Sequence, residues 1–114
     1  MIAGGENRCV LITCESLVEA RRIARAVVHK RLAACVNIVM TPVESIYRWK
    51  GKVEKAREVL IVLKTTSKRL PALEREVKRL HSYDVPEFIV LPIVAGSSDY
   101  LGWLQESVSN PTSR

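Results

Sequence analysis

The chain has 114 residues, of which 47% are apolar and 26% are charged, and its formal net charge is +6. This length and composition predict a single globular domain, residues 1–114, that buries a core of its own. No window approaches the roughly 20 consecutive apolar residues of a membrane span, and Glu6 and Arg8 stand where a signal sequence would have its apolar centre. We therefore expect a cytoplasmic protein that makes no membrane contact.

The excess of basic residues favours a weak attraction to anions, including nucleic acids. Acidic residues are interleaved with most of the basic ones, and no aromatic residues alternate with them as they do on surfaces that bind single strands. The basic residues are better explained as solvated faces. We expect no specific nucleic-acid partner, only weak retention that falls with salt.

The three cysteines, Cys9, Cys14 and Cys35, lie in apolar segments that resemble strands. Their odd number and the absence of a C-x-x-C pair argue against a disulfide framework and a structural zinc site. We expect small buried hydrophobic residues in a reducing compartment. A role in binding a soft metal stays open for a cysteine that reaches a cavity.

The N-terminal third predicts a strand followed by a helix. Residues 1–7 show no pattern and are expected to be loose, whereas residues 8–14 form a short apolar run typical of a covered strand. Ser16 and Glu19 fit the S-x-x-E capping box at a helix start. One helix face is predicted to pack on the sheet, and its apolar stripe consists of Ala20, Ile23, Ala24, Val27 and Val28.

The middle of the chain predicts a long hairpin. Strands over residues 34–40 and 44–49 are interrupted by Pro42, and Gly51 permits the positive φ of a tight turn before a strand over residues 52–65. At about 3.3 Å per residue that strand spans roughly 45 Å, whereas a helix of about 16 residues covers some 24 Å. The hairpin must therefore extend beyond the helices that cover it.

Four apolar and aromatic side chains lie on the extending part of the hairpin: Ile46, Tyr47, Trp49 and Val53. So much apolar surface needs a cover, and a second copy of the chain is the simplest one. For Tyr47 and Trp49 a ligand cage is an alternative, but aromatic residues at a hairpin end are more typical of interface anchors.

The C-terminal half predicts a helix, a strand and a final helix. Ser67 is the candidate N-cap of the second helix, whose buried stripe is Leu70, Leu73, Val77 and Leu80. A polar loop over residues 81–87 leads to a strand over residues 88–94. A helix over residues 99–108 follows, and residues 109–114 are expected to be a frayed tail.

This order of elements is βαββαβ followed by a helix, which is the split βαβ or ferredoxin-like plan of the α+β class. Right-handed crossovers place both main helices on one face of an antiparallel sheet. The other face stays bare, so we expect an oligomer that covers it.

The sequence contains no readable nucleophile and base pair, no glycine-rich phosphate loop and no common metal-binding motif. We therefore expect no enzyme. The one dense polar group is His81, Tyr83, Asp84 and Glu87, which could offer imidazole and carboxylate to a divalent cation. The alternative is that His81 only ends a helix, where the partial negative charge of the helix end favours a cation.

Several motifs, in the same order along the chain, closely resemble those of the CutA family of divalent-cation tolerance proteins. They are the segments 31–37, 45–52, 63–66, 81–87 and 100–104, and the likeness extends from about Val10 to Val108. The resemblance implies a ferredoxin-like fold, a homotrimer built through long hairpins, a cytoplasmic setting in prokaryotes and a link to copper and other divalent metals. It also suggests an alternative at the level of the fold, a PII-like signalling module that binds a nucleotide or small effector between subunits.

The copper ligands that the resemblance implies correspond to Ile12, Leu80 and His81, so only His81 offers a ligand here. Cys14 lies two residues away on the same strand face and could replace the missing cysteine. We therefore predict a metal site in the loop after the second helix, with His81 as its main ligand, Glu87 as a carboxylate helper, and Asp84 or Cys14 as further candidates.

Such a site should prefer copper, with modest selectivity, and should weaken below about pH 6.5, where an unperturbed histidine protonates. The family's usual His-Pro-Tyr reads His-Ser-Tyr here, with Ser82 in the middle. The small number of Asn and Gln residues and the many charges also suit a thermostable protein.

Overall fold

The structure is a computed structural model, and it describes residues 1–109. Helices after the second and the fifth strand confirm the predicted βαββαβ order. In chain order the elements are β1 (Ile2–Ala3), β2 (Asn7–Cys14), α1 (Leu17–His29), β3 (Cys35–Ile38), β4 (Val43–Trp49), β5 (Lys52–Thr66), a 3₁₀ turn (Ser67–Arg69), α2 (Leu70–Leu80), β6 (Ile89–Pro92), β7 (Ala95–Gly96) and α3 (Ser98–Ser107).

The main sheet has the strand order β3-β5-β2-β6, and every neighbouring pair in it is antiparallel. This topology, with helices that cross between strands, confirms the ferredoxin-like fold of the α+β class. None of the helices in the described range is long and apolar enough to cross a membrane.

The main core lies between the sheet and helices α1 and α2. Alternate residues of β5 point into this core, as the period of two along a strand requires. Each faces a buried residue of β2 across the ladder, so the register places one continuous apolar layer under the helices. The pairs are Val59 with Cys14, Ile61 with Ile12 and Leu63 with Val10.

The other face of the sheet is less well covered. The residues of β2 and β5 that alternate with the core residues point to this face. Among them Leu11 and Val62 are half-buried, and Ile89 of β6, which pairs with Leu11, is exposed. The helix α3 forms a separate small core in which Leu101 and Leu104 pack with Ala34. Apolar side chains therefore remain on the surface of the sheet.

The hairpin of β4 and β5 gives the chain its elongated shape, with a longest dimension of 48 Å. The two strands are paired along their shared length, from the pair Val43 and Glu58 at the base to the pair Trp49 and Lys52 beside the turn. Lys50 and Gly51 have φ of 50° and 80° and form the two-residue turn. Positive φ at both central residues is the geometry that matches the twist of a hairpin, so the predicted turn is confirmed.

The N-terminus differs from the expectation of a loose segment over residues 1–7. Ile2–Ala3 pairs with Ala95–Gly96, the Gly4 N–H donates to the Val94 carbonyl at 2.8 Å, and Asn7 begins β2 as a fully buried residue. These tertiary contacts order the segment because they satisfy its backbone groups. Of the predicted tail 109–114, only Ser109 lies within the described residues.

The predicted N-cap at Ser67 is also wrong. Ser67 opens the 3₁₀ turn before α2, its side chain makes no capping bond, and its hydroxyl donates to Glu6. The last helix follows the prediction more closely, because the Ser97 hydroxyl accepts the Tyr100 N–H at 3.0 Å and caps it.

Candidate metal centre

Three potential metal ligands meet where β2 ends, α1 begins and α2 ends. Cys14 is the last residue of β2, Glu19 lies in the first turn of α1, and His81 directly follows α2. One ligand atom from each, a sulfur, a carboxylate oxygen and a ring nitrogen, lies within 4.8 Å of the other two, and all three residues are buried. The fold brings them together because α1 and α2 pack side by side on one face of the sheet.

The hydrogen bonds of His81 indicate which ring nitrogen is available. Its Nε2 lies 2.8 Å from the carbonyl oxygen of Thr13, which can only accept, so Nε2 carries the hydrogen. In the neutral ring Nδ1 then has a lone pair, which accepts the Tyr83 N–H at 3.1 Å, so a metal ion at Nδ1 would have to displace this N–H. Metal-binding histidines commonly donate their second ring N–H to a carbonyl in this way, which fixes the ring orientation.

Glu19 has a role that its position in the sequence did not reveal. The predicted capping box is half formed, because the Ser16 hydroxyl accepts the Glu19 N–H at 3.2 Å. The carboxylate of Glu19 turns instead to the loop after α2. It accepts the Ser82 N–H at 3.1 Å and the Ser82 hydroxyl at 2.8 Å, and its Oε1 lies 3.2 Å from His81 Nδ1.

Cys14 is the fully buried member of the cluster. Burial raises the pKa of its thiol to about 12, and the nearby carboxylates of Glu19 and Glu58 add to the effect. The thiol therefore carries its proton at neutral pH, and a metal ion would have to displace it. Cys9 and Cys35 are only half-buried, so the expectation of a fully buried cysteine holds for Cys14 alone; all three are free thiols.

The structure does not bring Asp84 and Glu87 into this cluster. Both instead line a neighbouring cleft with a volume of about 690 Å³, between the loop after α2 and the hairpin. Burial raises the pKa of Glu87, and the negative charge of Glu58 raises it further. Of the four ligands predicted from the sequence, His81 and Cys14 are thus found together, and Glu19 joins them.

The four residues proposed for an interface remain accessible in the single chain. Ile46 and Val53 are 67% and 64% exposed, and Tyr47 and Trp49 are each 43% exposed. All four lie on the part of the hairpin that extends beyond the main sheet. This exposure agrees with the need for a cover, while the homotrimer itself stays a prediction.

The donor set can be tested against the metals that it would hold. Imidazole nitrogen, sulfur and carboxylate oxygen are all ligands of zinc, and imidazole and sulfur also suit copper. Bonds of about 2.0–2.3 Å place the ligands of a tetrahedral site roughly 3.3–3.8 Å apart. The distance of 3.2 Å between Glu19 and His81 is already close to this range. The longest separation in the cluster, up to 4.8 Å, would have to shorten by about 1 Å.

The fold and the site together define a class of protein. Its members are ferredoxin-like chains in which a thiol, a carboxylate and an imidazole are buried next to a long hairpin. Residues 8–107 match the family described as CutA1 divalent ion tolerance protein. The chain belongs to this family.

Individual relatives agree with this assignment. The chain is 52% identical over 98 residues to the divalent-cation tolerance protein CutA of Thermus thermophilus, covering 86% of this chain and 94% of that protein. It is 48% identical over 109 residues to the mouse protein CutA, covering 93% of this chain but 61% of the mouse protein. The solved structure of the Thermus thermophilus protein superposes with a TM-score of 0.88 at 50% identity, covering 90% of this chain and 99% of that one.

Proposed function

We propose that this chain binds a divalent cation, with a preference for copper, through His81 Nδ1, the Cys14 sulfur and the Glu19 carboxylate. The observation that carries the proposal is the cluster itself, in which three different metal ligands lie within 4.8 Å of one another in the interior. The names of the family and of the Thermus thermophilus relative, which refer to divalent ions, support it. The role proposed is binding rather than catalysis.

Each residue of the cluster has a separate task in this proposal. The bond from His81 Nε2 to the Thr13 carbonyl holds the ring so that Nδ1 points toward Glu19. Glu19 supplies negative charge, and Cys14 supplies a soft ligand once its proton is lost. Nitrogen and sulfur ligands favour copper among the common divalent ions, which is the reason for the stated preference.

We further propose that the protein acts as a homotrimer in which the hairpins of neighbouring copies cover one another. The exposed hairpin residues and the poorly covered face of the sheet support this assembly. An interface of this kind should bury well over about 1,000 Å². Sedimentation equilibrium should show a trimer at micromolar concentration, and a stable monomer would contradict the proposal.

The metal site is tested by calorimetric titration with copper at pH 7.5. His81→Ala should lower the affinity by at least about tenfold, because it removes the oriented ligand, and Cys14→Ser should lower it as well. The chain offers matched controls in His29→Ala, at the exposed end of α1, and Cys35→Ser, which should both bind as the unaltered protein does.

Equal affinity in His81→Ala, Cys14→Ser and the unaltered protein would mean that His81 only ends α2. Circular dichroism of each variant shows whether a loss of affinity comes from misfolding. The PII-like alternative receives no support from the relatives named above, all of which are CutA proteins.

A further inference from the structure

The fold separates the charges that the sequence interleaves. The helical layer, residues 17–31 and 67–80, contains ten basic and three acidic residues, whereas the rest of the chain contains eight basic and nine acidic ones. The net charge of +6 therefore belongs entirely to this layer. Because α1 and α2 lie on one face of the sheet, while the assembly proposed above covers the hairpin and the other face, this charge stays on the outside of the protein.

The three carboxylates of the helical layer do not neutralise its surface. Glu19 and Glu76 are buried, and Glu74 forms an ion pair with a neighbouring lysine at 3.3 Å. By contrast, Arg21 and Arg25 are exposed, and neither has a hydrogen bond or an ion pair with any of residues 1–109. Their spacing of four residues places them one turn apart on the same side of α1. Two guanidinium groups on this side are therefore available to an acid from outside.

A mostly apolar groove lies beside these arginines, between α1 and β3, which is an edge strand of the main sheet. It has a volume of about 730 Å³, in the range of pockets that bind ligands. Its lining consists of Ala24, Arg25, Ala26, Val28, His29 and Val36. Val28 is 41% exposed, so its apolar side chain is open to contact. Arg25 thus joins the apolar groove to the charged side of α1.

The combination of guanidinium groups and an apolar groove selects one class of partner. Guanidinium groups bind carboxylate and phosphate alike. A nucleic acid would leave the groove unused, because none of the described residues that line it is Phe, Tyr or Trp, on which a base could stack. A membrane is bound by apolar side chains that protrude into it rather than by a groove. A protein segment that combines carboxylates with apolar side chains matches both features.

We propose that α1 and this groove bind an acidic segment of a partner protein that also carries apolar side chains. The carboxylates of the segment pair with Arg21 and Arg25, and its apolar side chains lie in the groove between Val28 and Val36. The charge of the whole helical layer attracts such a segment from a distance, which speeds association and makes its rate depend on salt. None of these residues belongs to the metal cluster, so the proposal does not depend on metal binding.

Fluorescence anisotropy with the whole protein measures the binding of a model segment. The probe is a short fluorescein-labelled peptide in which glutamate alternates with leucine. Two matched peptides each remove one half of the recognition, since one has glutamine in place of glutamate and the other has serine in place of leucine. We expect saturable binding of the probe at micromolar concentration, and at least about tenfold weaker binding of each matched peptide.

Two double variants show whether the binding is at the groove. Arg21→Glu combined with Arg25→Glu reverses two exposed charges and should weaken binding of the probe by at least about tenfold. The control is Lys68→Glu combined with Lys78→Glu, which changes the net charge of the helical layer by the same amount outside the groove. It should weaken binding by less than about threefold at 0.15 M salt, where exposed charges are screened beyond about 8 Å.

The proposal is overturned if the probe shows no saturable binding, if either matched peptide binds equally well, or if the lysine variant loses as much affinity as the arginine variant. Tighter binding of a DNA duplex or of phosphatidylserine vesicles, measured by competition with the probe, would assign the surface to a phosphate-bearing partner instead. Sedimentation equilibrium should give the arginine variant the same mass as the unaltered protein. A change in mass would show that copies of this chain cover the groove, and would also overturn the proposal.

Discussion

The Glu19 carboxylate fastens the loop after α2 to the first turn of α1, so Glu19→Ala should cost stability as well as metal binding. The side chain is buried and accepts two hydrogen bonds from Ser82. A hydrogen bond to a charged group contributes about 1.5–3 kcal/mol. The Ser82 hydroxyl has a single hydrogen and also lies 2.9 Å from Glu15, so it keeps an acceptor when Glu19 is removed. Only the backbone bond is lost outright, and we expect a loss of about 2–3 kcal/mol.

Urea unfolding, followed by circular dichroism at one fixed protein concentration, measures this loss. Glu19→Gln should lose less than Glu19→Ala, because its amide oxygen still accepts the Ser82 N–H. Glu15→Ala is the control, and as an exposed residue it should change the unfolding free energy by less than about 0.5 kcal/mol. The reasoning is refuted if Glu19→Ala is as stable as the unaltered protein, or if Glu15→Ala costs as much.

Two further predictions concern groups with shifted pKa values. Hydrogen bonds from Arg79 and Lys30 lower the pKa of Glu76 from 4.5 to about 2, so its contribution to stability is complete above about pH 4.5 and is lost as the pH falls through about 2. Lys30 and Arg79 are 50% and 61% exposed, so water screens their ion pairs with Glu76. Glu76→Gln should therefore lower the unfolding free energy by about 1 kcal/mol at pH 7 but hardly at all near pH 2. For Cys14, whose pKa is raised to about 12, copper binding at pH 7.5 should release about one proton more than it does in Cys14→Ser. Titrations in buffers with different heats of ionisation measure this difference, and equal release would show that the thiol is not a ligand.

The elements that the sequence predicted well are those governed by local patterns. The turn at Lys50 and Gly51 and the apolar stripe of α1 each depend on neighbouring residues, so a single stretch of sequence contains the signal. The predicted stripe is wrong only at Val28, which is exposed because it lies at the edge of the buried face. The strand Ile2–Ala3 has no such pattern. It forms because a distant segment, Ala95–Gly96, lies beside it, and two residues are too few to show a period.

The candidate site shows the same limit. His81 and Cys14 could be picked out by their chemistry, whereas Glu19 was fully explained by a local capping box. Its partner Ser82 is 63 positions away in the sequence, and nothing in the chain links the two before it folds. The position of Glu58 beside the cleft was equally invisible in the sequence. It depends on how the hairpin and the loop after α2 approach each other.

Ser82 allows a direct test of whether Glu19 acts as a metal ligand. The backbone of His81 has φ −80° and ψ 141°, which is the extended region that a residue before proline adopts, so Ser82→Pro suits this loop. Proline would supply neither the N–H nor the hydroxyl that Ser82 now donates to Glu19. A carboxylate freed from both donors is a better ligand.

Ser82→Pro should therefore bind copper about tenfold more tightly than the unaltered protein, a gain in affinity equivalent to one hydrogen bond. Ser82→Ala keeps the N–H, so its affinity should lie between the other two. Calorimetric titration gives the order of the three affinities. Weaker binding by Ser82→Pro, in a variant that circular dichroism shows to be folded, would show that Ser82 supports the site rather than competing for Glu19.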